Sequence, residues 1–160
     1  MPQISINSPV GALTLFEFDD QIVALDWGFV EDMDPSPVLN EAKSQLEAYF
    51  AGKRADFDLP LAPHGTPFQQ AVWQAMCKIP AGKTATYQEL AIAAGSPKGF
   101  RAVGMACGRN PIPILIPCHR VLAAGGKPGG YSGWGGLETK AALLRLEGVD
   151  LGGVQGKLAV

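Results

Sequence analysis

The 160-residue sequence is poor in the residues that build metal and disulfide sites, with three cysteines and two histidines. The cysteines are odd in number and none stands in a C-x-x-C pair, which argues against a disulfide scaffold and a four-cysteine zinc site. Residues 1–63 contain neither cysteine nor histidine, so no zinc site is expected in that part of the chain. We therefore expect a chain without a metal or cofactor, in a reducing cytoplasm.

Long apolar runs are also missing. No segment approaches the length that a membrane-spanning helix needs, and the N-terminus lacks the basic and then apolar pattern of a secretory signal. Apolar residues nevertheless make up 47% of the chain against 18% charged residues, which excludes a disordered protein. A chain of this length can form one ordinary domain or two small ones.

Basic residues are scarce in the first part of the chain. Residues 1–63 contain three basic and eleven acidic side chains, a balance of −8, whereas residues 64–160 contain ten basic and four acidic ones, a balance of +6. The second part could thus approach a polyanion such as nucleic acid. Charges scattered over a surface without function would fit the same counts.

The first part has the pattern of a small sheet followed by a helix. Alternating apolar residues predict strands, Asp19-Asp20 predicts a turn, and Ser36-Pro37 predicts the start of a helix that ends near Phe50. The strands are expected at 4–6, 12–18 and 21–27. Residues 51–65 are typical of a linker, so we predict an α/β protein with an N-terminal supporting domain over 1–62 and a mostly helical domain over 63–160.

The second part contains strong helix-start signals. Thr66 with Gln69, and Thr86 with Glu89, each form a capping-box pattern, and Ser96-Pro97 predicts the start of a further helix that ends near Gly108. A last helix is expected from Leu137 to about Glu147. The two helices joined by "AGSPKG" resemble a helix-turn-helix, although a plain αα-hairpin has the same spacing.

The helix "FRAVGMACG" carries unusually small side chains at Ala102, Gly104, Ala106 and Gly108. Glycine inside a helix costs up to about 1 kcal/mol relative to alanine, so close packing or close approach to nucleic acid must compensate. Arg101, at the start of the helix, could contact phosphate or fill the place of a base, or could simply solvate the helix end.

The segment "IPILIPCHRV" brings Cys118 and His119 together after an apolar run and two prolines. Burial alone would raise the pKa of the thiol, so a reactive Cys118 needs a proton acceptor, and His119 needs a carboxylate to orient it. Glu147, at the end of the last helix, is the acid that we favour. A passive buried cysteine is the alternative, and packing is the better explanation for Cys77 and Cys107.

The motifs "TYQELA", "RAVG", "GRNP", "PCHRV", "GGYSG" and "LLRLEG", spread from Thr66 to Val149, are similar to those of a known family. Together they resemble the O6-alkylguanine-DNA alkyltransferases, also called methylated-DNA–protein-cysteine methyltransferases. The resemblance implies repair of O6-alkylguanine, and also of O4-alkylthymine, in double-stranded DNA. The alkyl group passes irreversibly to Cys118, so a monomeric protein acts once without a metal or cofactor.

The resemblance also implies roles for individual residues. Cys118 is the acceptor, His119 takes its proton through a water, Glu147 orients His119, and Asn110 shapes the backbone beside the thiol. Tyr87 donates to O6 or N3 of the guanine as the base leaves, and Arg101 fills the stack that the flipped nucleotide leaves. The remaining residues that it assigns are Thr86, Ala102 and Gly104 on the DNA-binding surface, with Tyr131, Ser132, Val121 and Lys140 in the base pocket.

Three points stay open at the level of sequence. The loop "GYSGWGGLETK" is about two residues longer than the familiar pattern, so the preferred size of the alkyl group is not implied. Arg120 is expected to form a structural ion pair. A protein that recognises alkylated DNA without chemistry, or a Cys-His hydrolase on another fold, is a competing interpretation, and the presence of Cys118 argues against the first.

Overall fold

The structure, a computed structural model, describes residues 1–133 and 135–151. Trp134 of the long loop and residues 152–160 therefore lie outside the described residues. The chain divides into two compact units between His64 and Gly65, two residues beyond the boundary expected from the sequence.

The first unit is a three-stranded antiparallel sheet covered by one helix. Its strands, in sheet order, are β1 (Gln3–Ile6), β2 (Leu13–Phe18) and β3 (Gln21–Trp27). Leu15 pairs with Ile4 on one side and Leu25 on the other, and all three are buried. The predicted strands and the turn are confirmed: Asp19 and Asp20 both have positive φ, which fits the tight connection between β2 and β3.

Helix α1 (Pro37–Phe50) begins and ends where the sequence predicts. Ser36 is its N-cap, and the Ser36 hydroxyl accepts a hydrogen bond from the backbone N–H of Leu39 at 3.2 Å. The buried side chains Leu39 and Leu46 lie on the face of α1 that packs against the sheet. These side chains form the hydrophobic core of the first unit.

The second unit is mostly helical. Helix α2 (Pro67–Cys77) is followed by the short strand β4 (Ala85–Thr86) and by helix α3 (Tyr87–Ala93). Both predicted capping boxes are present, with the backbone N–H groups of Gln69 and Glu89 donating to the Thr66 and Thr86 hydroxyls. Because Thr86 is at once the end of β4 and the cap of α3, it fixes the start of α3 beside the strand.

Helix α4 (Phe100–Gly108) packs against α3, and the two form the predicted helix-turn-helix. Its predicted start at Ser96-Pro97 is wrong, because the Gly99 N–H donates to the Ser96 carbonyl and closes a separate turn first. The Trp73 indole donates to the Ala106 carbonyl at 2.9 Å, and this buried contact ties α2 to α4. Ala106 is therefore buried in the core, whereas Ala102 of the same helix is exposed.

The remaining elements surround the Cys118 segment. Cys118–Arg120 forms a single 3-10 turn and leads into strand β5 (Val121–Leu122), which pairs in parallel with β4. Helix α5 (Leu137–Leu146) ends at Glu147, and Gly148 takes a positive φ after it, as the sequence predicts. None of the described helices is long and apolar enough to cross a membrane. Within residues 1–133 and 135–151, no group of three or more His, Cys, Asp or Glu side chains is placed to bind a metal ion.

Candidate active site

The backbone before Cys118 is held in place by Asn110. The Asn110 amide donates to the Ile116 carbonyl at 2.8 Å, and its side-chain oxygen accepts the N–H of Ile112 at 3.0 Å. Pro117 then forms an inverse γ-turn, with φ of −81° and ψ of 65°, in which the Cys118 N–H donates to the same Ile116 carbonyl. One asparagine thus fixes both ends of the apolar loop that delivers the thiol.

The Cys118 thiol is buried, and burial raises its pKa. The Asn110 side-chain hydrogen bond and the positive charge of Lys140 act in the opposite direction. The resting group is accordingly a thiol with two neighbours that would stabilise its anion, and it needs a base to become nucleophilic.

His119 is fully buried and held by Glu147, whose carboxylate oxygen lies 2.8 Å from Nε2. Burial lowers the pKa of His119, although the hydrogen bond and charge of Glu147 oppose this, so the imidazole is neutral at rest. A carboxylate can only accept, so the proton of a neutral ring lies on Nε2 and Nδ1 carries the lone pair. Nδ1 is buried without a hydrogen bond to the described protein and is the atom able to accept a proton.

Arg120 forms the ion pair that the sequence favours for it. Its guanidinium contacts both carboxylate oxygens of Glu147, at 2.8 and 2.9 Å, and also donates to the Ile79 carbonyl at 2.6 Å. The charge of Arg120 lowers the pKa of His119. The same carboxylate therefore orients the histidine while its negative charge is compensated by the arginine.

A cavity of about 310 Å³ opens onto the thiol. This volume lies at the lower end of the range typical of small-molecule sites, roughly 300–1,000 Å³. The predicted site residues Tyr87, Gly104, Cys118, Tyr131 and Ser132 lie on its wall, together with Cys107, Gly108 and Gly130. The Ser132 hydroxyl donates to the Gly108 carbonyl at 3.1 Å, which links the glycine-rich loop to the end of α4.

We had expected Val121 and Lys140 in the pocket. Neither lies on the wall described above. The fully buried Lys140 ammonium instead donates to the Val121 carbonyl at 2.6 Å and the Gly130 carbonyl at 3.0 Å. It thereby joins strand β5 to the loop that closes the cavity. Burial lowers the pKa of Lys140 to about 8, and the nearby thiols oppose this shift.

Cys107 is one of three wall residues, with Gly108 and Gly130, that the sequence did not predict for the pocket. It is buried within α4, and its thiol contacts the Met76 sulfur at 3.8 Å. Burial, together with a smaller contribution from negative charge on Cys118, raises the pKa of Cys107 to about 12. The signal available in the sequence was its spacing of three residues from Gly104, which brings both onto one side of the helix.

Tyr87 lies on the wall at the start of α3. Burial raises the pKa of its phenol, so the side chain stays protonated and can donate a hydrogen bond. A Cβ at Gly129 would lie 3.0 Å from the Tyr87 hydroxyl, and Gly129 also has a φ of +66°. Glycine is therefore required at position 129, because the Tyr87 side chain leaves too little room for a Cβ and because the backbone there has a positive φ.

The predicted DNA-binding residues Arg101 and Ala102 are exposed at the start of α4. Gly104 is half-buried, with its Cα side facing the Tyr87 ring. Thr86 is half-buried as well, and its hydroxyl oxygen is engaged as the cap of α3. Helix α4 thus exposes Arg101 and Ala102 on its outer side, while its inner side forms part of the cavity wall.

Comparison with known families matches both units of the chain. Residues 67–149 match the model described as "6-O-methylguanine DNA methyltransferase, DNA binding domain". Residues 3–63 match the model described as "6-O-methylguanine DNA methyltransferase, ribonuclease-like domain". The two matches together span nearly the entire described chain.

Individual relatives agree. The chain is 50% identical over 150 residues to a methylated-DNA–protein-cysteine methyltransferase of Methanosarcina barkeri, covering 89% of this chain and 94% of that one. It is 45% identical over 155 residues to the constitutive enzyme of that name in Bacillus subtilis, covering 90% and 93%. The crystal structure of Mycobacterium tuberculosis OGT in complex with DNA is 44% identical and superposes with a TM-score of 0.81 over 92% of each chain. With a family model matched over each unit and a relative that is 50% identical over most of both chains, the chain belongs to the 6-O-methylguanine DNA methyltransferase family.

Proposed function

We propose that this protein removes the alkyl group from O6 of guanine in double-stranded DNA, and from O4 of thymine, by transferring it once to Cys118. The observation that supports this most strongly is a buried thiol on the wall of a base-sized cavity, next to a neutral histidine held by Glu147. In the transfer, Sγ of Cys118 attacks the alkyl carbon and the bond from that carbon to O6 breaks. The thioether is permanent, so each molecule reacts once.

The proton of Cys118 leaves before or during the attack. We assign its acceptance to Nδ1 of His119, through a water, because Nε2 already donates to Glu147. The imidazolium that forms is stabilised by the Glu147 carboxylate, which also forms an ion pair with Arg120. The Asn110 hydrogen bond and the Lys140 charge favour the thiolate at the same moment.

The departing guanine takes the bonding electrons on O6 and needs a proton or hydrogen bond to become a good leaving group. Tyr87 is the donor that we assign, because its phenol is protonated and lies on the wall of the same cavity as Cys118. Tyr131 and Ser132 line the cavity further along and would contact the base.

The thiol lies inside a cavity, so the damaged nucleotide must flip out of the DNA duplex to reach it. Unstacking and unpairing the nucleotide costs a few kcal/mol. We propose that α4 enters the minor groove, where its small residues Ala102 and Gly104 permit a close approach. Arg101 then occupies the place of the flipped nucleotide. Its exposure at the start of α4 supports this role.

The protein is further proposed to act as a monomer in the cytoplasm. All three cysteines are free, which is consistent with a reducing compartment. The relatives whose names describe cysteine methyltransfer share this chain's length closely, so transfer is favoured over recognition of damaged DNA without chemistry.

Incubation with a duplex that contains O6-methylguanine, followed by intact-mass and peptide analysis, tests the proposal. We expect a gain of one methyl group confined to the peptide that contains Cys118, and no gain in Cys118→Ser. Tight binding without a change in mass would instead indicate a recognition protein, and repeated turnover of an ester or amide would indicate a hydrolase.

A further inference from the structure

The helix-turn-helix exposes large apolar side chains. In the second unit, the exposed large hydrophobic residues that the structure describes are Ile92, Phe100, Met105 and Leu146, and the first three lie on α3 or α4. Phe100 is 49% exposed at the first position of α4, directly before Arg101. An exposed aromatic ring at a DNA-binding surface is suited to stacking on a base.

A second cavity, of about 540 Å³, lies beside Phe100. It is formed by the start of α3 and by the loop after β5, and its described lining residues are Thr86, Tyr87, Gln88, Phe100, Ala123, Ala124 and Gly125. Tyr87 also lies on the wall of the cavity that contains Cys118. The two cavities therefore share one aromatic residue, so the second lies beside the site assigned to the flipped base.

The lining of this second cavity suits a nucleotide base. The seven lining residues given above include two aromatic rings and the Gln88 amide, and none of the seven carries a charge. The Arg101 guanidinium lies 6.0 Å from the centre of the Phe100 ring, so the side chain assigned to the place of the flipped nucleotide lies next to this ring. An uncharged lining with two aromatic rings matches a base better than it matches an anionic small molecule.

We propose that Phe100 and this second cavity hold the base next to the flipped guanine on the same DNA strand. Phe100 precedes Arg101 by one residue on α4, which corresponds to about 100° of rotation around the helix axis. Arg101 fills the place of the flipped nucleotide. Phe100 is thus positioned beside the neighbouring base, whose face loses its stacking partner when the guanine leaves. Arg101 takes the place of the guanine in the stack, and stacking on Phe100 adds an aromatic contact to the neighbouring base and stabilises the flipped state. The inference rests on the proposed repair of flipped guanine.

Phe100→Ala tests this in the full-length protein. We expect the rate of methyl transfer from duplex O6-methylguanine to fall roughly 5- to 150-fold, the range for loss of one aromatic–base stack. Phe100→Tyr keeps the ring and should retain the rate. Transfer from free O6-benzylguanine should be unchanged in both variants, because the free base has no neighbour. Phe18→Ala, which removes an exposed phenylalanine of the first unit, is the matched control.

The neighbouring base itself is tested with two further duplexes, in which an abasic nucleotide replaces the base on the 5′ or the 3′ side of O6-methylguanine. If Phe100 stacks on that base, the difference between the wild-type protein and Phe100→Ala disappears on one of these duplexes. An undiminished difference on both would overturn the inference, as would a wild-type rate in Phe100→Ala on the intact duplex. Failure of the proposed function is recognised separately, because the wild-type protein would then gain no methyl group on Cys118.

Discussion

Two thiols lie on the wall of one cavity, and burial raises the pKa of both Cys107 and Cys118. Their reactivity must therefore differ through their neighbours. Cys118 is followed by a neutral histidine and is stabilised as an anion by Asn110, whereas the thiol of Cys107 contacts the Met76 sulfur. A buried thiol without a base is inert, so the site contains one nucleophile and one packing cysteine.

Glu147 is shared by His119 and Arg120, and this sharing leads to a prediction at the scale of the residue. Glu147→Gln leaves the buried Arg120 without its counter-charge, which we expect to lower the free energy of unfolding by about 3 kcal/mol. It also removes the charge that stabilises the His119 imidazolium, so the rate of methyl transfer should fall about 100-fold. Urea unfolding and the rate on duplex O6-methylguanine measure the two effects.

A second variant separates the two effects. Arg120→Met also destabilises the protein but leaves the contact between Glu147 and His119 in place, so its transfer rate should stay within a few-fold of the wild type. Glu138→Gln, on the exposed first turn of α5, controls for loss of an acid. If Arg120→Met lost as much rate as Glu147→Gln at a temperature where both are folded, Glu147 would be a structural residue only.

At the scale of the secondary-structure element, local chemistry made most of the second unit predictable. Thr66 and Thr86 are each followed three residues later by a glutamine or a glutamate. Helices α2 and α3 start directly after these two threonines. The start of α4 was missed because Gly99 has no side chain with which to cap the helix, so its position depends on the preceding turn. That turn is held by a backbone hydrogen bond, and no pattern of side chains in the sequence predicts it.

The site was predictable to a similar extent and for the same reason. Cys118, His119 and Asn110 lie close in sequence, so their chemistry is visible in one segment. The placement of Lys140 was not, since a lysine is expected at the surface and only the tertiary structure supplies the buried carbonyls of Val121 and Gly130. Cys107 was likewise assigned to packing, because its spacing from Gly104 indicates a shared side of α4 but does not show that a cavity lies against that side.

Helix α4 carries a glycine at 104 whose place on the cavity wall can be tested. A Cβ there would lie 4.0 Å from the Tyr87 ring, an ordinary contact, so Gly104→Ala should fit and raise the free energy of unfolding by about 0.5–1 kcal/mol. Gly104→Leu should instead narrow the cavity and slow transfer from both duplex O6-methylguanine and free O6-benzylguanine. Thermal unfolding and transfer rates provide the measurements.

Ala102→Leu is the matched variant, because Ala102 is exposed on the same helix. It should slow the reaction with the duplex and leave the reaction with the free base unchanged. Equal losses on both substrates for Ala102→Leu, or a normal free-base rate for Gly104→Leu, would mean that the inner and outer sides of α4 do not have the separate roles assigned to them.

At the scale of the whole molecule, charge is divided between the two units. The first carries a balance of −8 and the second, up to the C-terminus, +6. The net charge of −2 therefore hides a basic unit that also contains the helix-turn-helix. Association with DNA depends on the phosphates that basic side chains contact, more than on the charge of the entire chain.

The salt dependence of DNA binding distinguishes these two quantities. Lys98 lies in the turn before α4 and Arg109 directly after that helix, and both are exposed. If each contacts a phosphate, Lys98→Gln and Arg109→Gln should each reduce the slope of the logarithm of the DNA association constant against the logarithm of the salt concentration by about 1. Asp19→Asn with Asp20→Asn changes the net charge by a larger amount in the first unit and fits the positive φ of both positions. We expect that double variant to leave the slope unchanged. A slope that followed net charge in all of these variants would show that α3 and α4 do not form the DNA-binding surface.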